Sequence, residues 1–552
     1  MFSTRKRLAA GATAGVLALG LVACGSGDGE GGAVDGPDAE ELDGKDVGAM
    51  DDFGVGDTFV ATEPVSIELL YRDHPNYPLD EDWLFFQEVE ERNNVTFDIT
   101  TAPLSDWDQR KGVLIGAGDA PDVISVTYPG QEAQFVASGA ILPISDYVEL
   151  MPHFQDKVEK WDLAAELDTL RQEDGKYYML PGLYEALRYD YTIGLRTDLM
   201  EQAGVEEPRT WEDLADVLAA IKEDQGTQYA WSDRWKGDAL LNVAAPSFGT
   251  VAGWGYGDGM TYDEEAGEYV YAGATDEYKA LVEYFAGLVA DGLLDPESFT
   301  QEDDQAVAKL INEQSFAMTT NSQEILSHRT SMAENLGEGT FELNKIRVPE
   351  GPAGDVMGGM RIENGFMISS DAAEKENFVA TLQFLDWLFY SDEGLEFARW
   401  GIEGETFERD ADGNRTLLPE ITFLHQNPEG TTHLQSDLGF FNGVFSLAHG
   451  STTDLVMTHI TDEEKAWMES MASKEQAPLD PPAPLDEIER EQASLYQTAL
   501  ADYTKQNTLA FITGQRDLSE WDAYVSELEG QNMQAFVDIM NTAADRYQEN
   551  NA

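Results

Sequence analysis

Two groups of side chains in this sequence are arranged so that they could do chemistry. One is a lone cysteine, Cys24, which closes an apolar run in "GLVACGSGDGEGG". The other is a set of aromatic residues in glycine-rich stretches: Trp231 and Trp235 in "YAWSDRWKG", then Phe248, Trp254 and Tyr256 in "PSFGTVAGWGYGDG". These stretches are too rich in Gly, Ser and Asp to read as core helices. Each ring is therefore either an exposed flat platform or part of a small local core under a long loop, and the sequence leaves both readings open.

The other reactive residues argue against an enzyme. Seven histidines show no H-E-x-x-H and no metal-like pairing. With 105 Asp and Glu, carboxylate pairs at hydrolase-like spacing arise by chance, so none of them is evidence of a glycosidase. "DADGN" at 410–414 starts like a calcium loop, but Glu420 falls one place short of the twelfth position, and a hairpin turn is the better reading. Gly27, Gly29 and Gly32 satisfy G-x-G-x-x-G with no strand before them and no helix after, which is noise. No metal and no cofactor is expected.

The amino terminus accounts for the cysteine. Arg5, Lys6 and Arg7 precede an uncharged run from Leu8 to Ala23, the pattern of a secretory signal. Its end, Leu21-Val22-Ala23-Cys24, resembles the bacterial lipobox. That resemblance implies cleavage before Cys24, which becomes the lipidated first residue of a membrane-anchored protein. The alternative, an uncleaved anchor helix, needs an apolar run of about 20 residues, and this one is shorter and rich in glycine. Residues 24–57 are Gly, Asp and Glu with few large apolar side chains and read as a flexible acidic tether.

The net charge of −71 repels phosphate backbones and anionic headgroups, so nucleic acid and direct electrostatic membrane binding are disfavoured as partners. A 42% hydrophobic content supplies a sizeable core, and a single cysteine rules out an internal disulfide.

The elements that would position these residues follow from periodicity. "VSIELLY" from Val65 alternates as a strand. A helix with Asp80 as cap and Trp83, Phe86 and Glu90 on one face follows, then a strand through Val95, Phe97 and Ile99, a helix opened by Ser105 and Asp108, and the strand "PDVISVTY". This order predicts a parallel α/β sheet, whose ligands sit beyond the carboxyl ends of the strands. Arg72, His74, Tyr77, Tyr128 and Gln131 then face a crevice. Thr210 and Asp213 predict a capped helix over "WEDLADVLAAIK", "YKALVEYFAGLVADGLL" another, "SFAMTT" and "GFMISS" two strands, and the chain after Leu485 is mostly helical, with Ser519 and Asp522 opening one helix.

Taken in order, "GAGDAPDVI", "FVASGAILPISDYV", "DGKYYMLP", "LRTDLMEQAGVEEPRTWEDL", "DGLLDPESF", "YSDEGLEFARWGIEGETF" and "FITGQRDLSEWDAYV" resemble the extracellular solute-binding proteins of ABC importers, in their long oligosaccharide-type branch. The resemblance implies an α/β, two-lobed, periplasmic-binding-protein-like fold with hinge crossings and an extended helical carboxyl-terminal part. It places lobe 1 at 58–187 and 361–403, lobe 2 at 192–357 and 408–552, and the crossings near 186–191, 358–364 and after Gly404. By position in the family pattern it implies a ligand site including Tyr128 and Gln131, the loop Asn321, Ser322 and Gln323, and Arg361, Glu363 and Asn364 on the return crossing. Together with the crevice residues Arg72 and Tyr77 and the platforms Trp231, Trp235, Phe248, Trp254 and Tyr256, these make the candidate site. The partners implied are an oligosaccharide ligand, the permease subunits of the importer and the membrane that holds the lipid, with the protein a monomer on the extracellular face. Scarce basic residues in the candidate loops (Arg72, Arg234, Lys236, Arg361) point to a neutral sugar. A secreted carbohydrate hydrolase and a non-transport surface carbohydrate-binding protein are the alternatives.

Overall fold

The computed structural model describes residues 42–411, 413–424, 426–447 and 451–551. The signal, Cys24 and the first part of the expected tether lie outside the described residues. The strands that matter for the site are β1 (Val65–Asp73), β2 (Val95–Pro103), β3 (Val123–Thr127), β4 (Leu180–Leu183), β5 (Thr192–Arg196), β6 (Met260–Asp263), β7 (Glu268–Tyr271), β8 (Ala317–Thr320), β9 (Leu343–Lys345), β10 (Val356–Met357) and β11 (Ile362–Ile368).

Alternation in the sequence becomes burial in β1, where Val65, Ile67 and Leu69 point inward while Ser66 and Glu68 face water. β2 and β3 pair with β1 in parallel, joined through the helices Leu84–Asn93 and Trp107–Ala117, as the strand–helix–strand order requires. β11 and β4 complete a sheet of order β2-β1-β3-β11-β4, with β11 antiparallel to both its neighbours. The helix Phe378–Tyr390, buried at every position, belongs to the same core. A second core surrounds the antiparallel sheet β8-β5-β9 and contains helices Trp211–Gln225, Asp238–Phe248 and Asp276–Ala290. The carboxyl-terminal helices Glu487–Ile512, Trp521–Glu529 and Met533–Asn551 pack on it as well.

The reciprocal cap expected at Thr210 and Asp213 forms and opens the helix Trp211–Gln225. Asp213 N–H donates to Thr210 Oγ1 at 3.0 Å and Thr210 N–H to Asp213 Oδ2 at 2.9 Å. Three other expected starts are corrected. The first helix begins at Leu84 without a side-chain cap and buries Phe85, Val89 and Asn93, because Asp80 instead shapes the turn before it, accepting from Asp82 N–H at 2.9 Å. Ser105 and Asp108 do not cap Trp107–Ala117, since a 3₁₀ turn at Leu104–Asp106 leads into that helix. Asp517, not Ser519, caps the turn before Trp521.

Two boundaries also move. Residues 42–57 are not a solvated tether. Leu42, Met50 and Phe53 pack on the first core, and Met50 and Gln383 exchange two hydrogen bonds at 2.9 and 3.0 Å. The described residues between Phe407 and Leu455 pack with the first core rather than the second, where Phe440 and Phe445 insert against Phe85 at ring distances of 5.9 and 4.4 Å. The third crossing therefore falls between Leu455 and Trp467, well after Gly404. No helix among the described residues is long and apolar enough to cross a membrane.

Candidate ligand-binding cleft

Both sheets turn one edge toward the crossings. β1, β3 and β4 end at the edge where β11 begins, with Ile362 opposite Leu183. In the second sheet Thr192 opens β5 opposite Thr320, the end of β8, and Lys345 ends β9 opposite Gly194. Such an edge is where an α/β sheet holds its ligand.

Lobe 1 supplies single side chains at strand ends. The Arg72 side chain, at the end of β1, makes no hydrogen bond or ion pair among the described residues. Tyr128, just past β3, is 42% exposed. Its loop is braced from below, where buried Lys111 donates to Gln131 Oε1 at 2.8 Å and the same oxygen accepts Tyr128 N–H at 3.2 Å. Val126, in β3, has φ 45°, an outlier for a β-branched residue, two residues before Tyr128. Tyr77 is buried and lies flat on His74 at 4.4 Å, and its hydroxyl faces Gly443, where a Cβ would sit 2.8 Å from it. Tyr77 thus holds the rim rather than presenting a face.

Lobe 2 supplies a wall of three rings. Trp235 and Trp254 are 5.1 Å apart, and Tyr191, from the first crossing, meets them edge-on at 5.8 and 5.4 Å. Trp254 is 46% exposed. Its turn fits because Gly253, at φ 58°, lets the backbone lie where a Cβ would be 1.9 Å from Asp238 O. Trp235 and Lys236 both have φ 54°, and behind the Trp235 ring the Arg234 guanidinium stacks at 3.7 Å, fixed by Glu324 at 2.9 Å. Glu324 stands in the first turn of the helix Ser322–Leu336, which Asn321 caps by accepting Glu324 N–H at 2.8 Å.

The first two expected crossings lie side by side. Tyr184 N–H donates to Arg361 O at 2.8 Å, laying the first crossing beside the second. Arg188 and Met360 are exposed there, and Glu363 is half-buried.

A family model described as bacterial extracellular solute-binding protein matches residues 76–393, more than half of the chain. The chain belongs to that family. Among curated proteins, this solute-binding protein is 21% identical to the fructooligosaccharide ABC transporter substrate-binding protein FusA of Streptococcus pneumoniae serotype 4, over 90% of this chain and 93% of FusA. A polygalacturonan/rhamnogalacturonan-binding protein of Bacillus subtilis is 26% identical over 41% of this chain and 43% of its own length. Among solved structures, an HMO-binding solute-binding protein from Bifidobacterium longum infantis superposes with TM-score 0.66 at 18% identity, covering 88% of this chain and 99% of that one. FusA in complex with kestose gives TM-score 0.61 at 20% identity, over 88% and 100%. The two-lobed periplasmic-binding-protein-like fold expected from sequence is therefore the fold of this family member.

The candidate residues divide accordingly. Arg72 and Tyr128 stand at strand ends of lobe 1 and Trp235 and Trp254 in the ring cluster of lobe 2, with Gln131 bracing the Tyr128 loop and Asn321 the helix that carries Glu324. Others do not present a face to a cleft. Trp231 is fully buried, its Nε1–H donating to Asp233 Oδ2 at 2.9 Å, with bridges to Leu294 and Ala317 on either side. Phe248 is inside the helix Asp238–Phe248, packed on Trp211 and Tyr284, although Pro246 and Ser247 disguise that helix as a loop. Tyr256 turns inward onto Tyr271 and Tyr278, and burial drives its pKa well above the usual phenol range. Arg361 has all its reach engaged, to Glu166 at 2.6 Å and to the carbonyls of Trp161 and Asp162 at 2.6 and 2.7 Å. Asn364 is buried.

Tyr191 and Arg188 escape sequence reasoning even though both lie in the segment that the family resemblance assigns to a crossing. Neither stands in a recognisable motif, and only the fold brings Tyr191 against the two tryptophans. The residues flanking 410–414 form the expected hairpin, Phe407–Arg409 against Arg415–Leu417, and Asn414 N–H and Nδ2 both donate to the Asp410 carboxylate at 2.9 and 2.8 Å. A separate groove of about 590 Å³, lined by Arg209, Lys345, Arg347 and Trp467, has its cations matched by Glu350, Glu464 and Asp355 and so has little charge left for a ligand.

Proposed function

We propose that this protein is the substrate-binding component of an ABC importer that captures an oligosaccharide outside the cell and delivers it to membrane permease subunits. The observation that carries the reading is the wall of Tyr191, Trp235 and Trp254 beside a polar hinge floor. Flat rings suit the C–H faces of pyranose or furanose units, and planar polar groups suit their hydroxyls. FusA and the HMO-binding neighbour, whose names state oligosaccharide ligands, support the same class. In this reading Cys24 carries a diacylglyceryl anchor on the extracellular face of the membrane, and the protein works as a monomer. The ligand is neutral, because the −71 field opposes an approaching anion and the cleft holds one unpaired cation, Arg72, among the described residues of its rim.

Calorimetry of the full chain against kestose, maltotetraose, chitotetraose and trigalacturonate, with product analysis after incubation, tests the reading. Binding of a neutral oligomer with no turnover is expected, together with a smaller radius of gyration in scattering as the lobes close. Cleaved product would turn the reading to a hydrolase, and an unchanged radius at saturation to a rigid carbohydrate-binding surface protein. Cys24→Ser should release the protein from washed membranes, and retention of that variant would remove the lipid anchor.

A further inference from the structure

At Arg188 the electrostatics of the two lobes and the hinge meet. It lies on the first crossing with 35% of its side chain exposed, its Nη1 donates to the Tyr184 hydroxyl at 3.3 Å, and its Nη2 stands 3.7 Å from Asp190 Oδ2. Its charge acts on Arg399 in lobe 1, on Lys345 in lobe 2 and on Glu363 in the second crossing. The side chain is thus held by Tyr184 and Asp190 and still open to water.

Glu363 enters the same space from β11, where it pairs opposite Gly182. Its carboxylate accepts one hydrogen bond among the described residues, from Asn364 N–H at 3.3 Å, and burial raises its pKa despite the attraction of Arg188. A guanidinium has five N–H donors and a carboxylate about four lone-pair sites. Both groups therefore keep hydrogen-bonding capacity that the protein does not use.

We propose that Arg188 and Glu363 together read the ligand at the cleft floor. Arg188 donates to, and Glu363 accepts from, adjacent hydroxyls of one sugar unit stacked on Trp235 and Trp254, and Glu363 with Asp190 excludes sugars that carry a carboxylate. The inference rests on the oligosaccharide reading above and names its selectivity. A hydroxyl both donates and accepts, so a vicinal pair satisfies both groups. A uronate brings a third negative charge next to Glu363 and Asp190, against a single guanidinium, in a partly desolvated site where like charges are costly. Because the two groups stand on different crossings, the sugar they share also joins the segments that reorient when the lobes close.

The test is calorimetry on the full chain with the four probes above, on variants whose thermal unfolding matches the parent. The parent is expected to prefer its best neutral oligomer over trigalacturonate by about 100-fold. Glu363→Gln should weaken the neutral oligomer about fivefold while strengthening trigalacturonate about tenfold, so that the preference collapses. Arg188→Met should weaken the neutral oligomer at least about tenfold, with Arg188→Lys recovering part of the loss. Two results overturn the proposal: an unchanged neutral-to-acidic ratio in Glu363→Gln, or tightest parental binding to trigalacturonate, lost in Arg72→Met. A parent that binds none of the four probes overturns the oligosaccharide reading itself, whatever the variants do.

Discussion

The two faces of the proposed cleft are built in opposite ways. On lobe 1, Arg72 and Tyr128 project singly from the ends of β1 and β3, each backed by its own strand and braces such as Lys111. On lobe 2, Tyr191, Trp235 and Trp254 sit on turns and hold one another, with Arg234 behind one ring and Gly253 under another. A strand end fixes a side chain through the sheet, so losing one leaves its neighbour in place. A ring cluster on turns is cooperative, so removing one ring loosens the rest. Lobe 1 should therefore tune binding in small independent steps, and lobe 2 should fail as a unit.

The contrast extends to buried titratable groups, where the largest effects are expected. In lobe 1, burial pushes the Glu132 carboxyl up to about 7 from 4.5, with its Oε1 accepting from Gln172 at 3.2 Å. In lobe 2, burial pushes the His328 imidazole down to about 4 from 6.5, and the Arg234 charge adds to the effect. Glu132 is neutral in the fold at low pH, so its contribution is full below 4.5 and is lost as pH rises toward 7. His328 is neutral in the fold at high pH, so its contribution is full above 6.5 and is lost as pH falls toward 4. Each swing is about 3 kcal/mol, and the two oppose each other. Relative to the parent, Glu132→Gln should gain stability on going from pH 4 to 8, while His328→Phe should gain it on going from pH 8 to 4. Denaturant unfolding at several pH values measures both, and slopes of the same sign in the two variants would abolish the contrast.

Next in size are the ring deletions. Trp235→Ala and Trp254→Ala should each weaken a neutral oligosaccharide by about 10- to 100-fold, and the double variant should lose less than the sum of the two free energies. Strict additivity in that cycle would show that the rings act singly after all. Tyr128→Ala on lobe 1 should cost only about three- to tenfold and add fully to either tryptophan variant. The smallest effect belongs to the brace beneath the wall. Asn321→Ala removes the cap on Glu324 N–H, lowers stability by about 1 kcal/mol and leaves affinity within about threefold, read by thermal unfolding beside calorimetry.

How much of the molecule is legible in its sequence varies with the kind of signal. β1 announces itself because one buried face imposes a period of two, β3 as a short apolar run buried at every position, and Arg72 and Tyr128 inherit their place from the ends of those strands. The capping box at Thr210 and Asp213 is equally plain, because both partners lie within one turn. The extracellular family follows from short segments in order along the chain.

The glycine-rich aromatic stretches show where local reading stops. Trp231 and Trp235 stand four residues apart in the same composition, yet one is fully buried and the other is half-buried beside Trp254. The difference is made by Asp233, which receives Trp231 Nε1–H and Thr319 Oγ1–H at 2.9 and 2.6 Å and so draws the first ring inward beside β8. Phe407, Phe440 and Phe445 likewise carry no mark of which lobe they serve, and they join lobe 1 because Phe85 and Trp400 give them faces to pack on. Sequence determined what is set by neighbours within a turn or a strand: period, caps, charge and the order of segments. Tertiary structure alone decided which ring found a partner across more than a hundred residues, as Tyr390 does in donating its hydroxyl to Pro181 O at 2.8 Å, because burial is a contest among all apolar faces at once and no local pattern records its outcome.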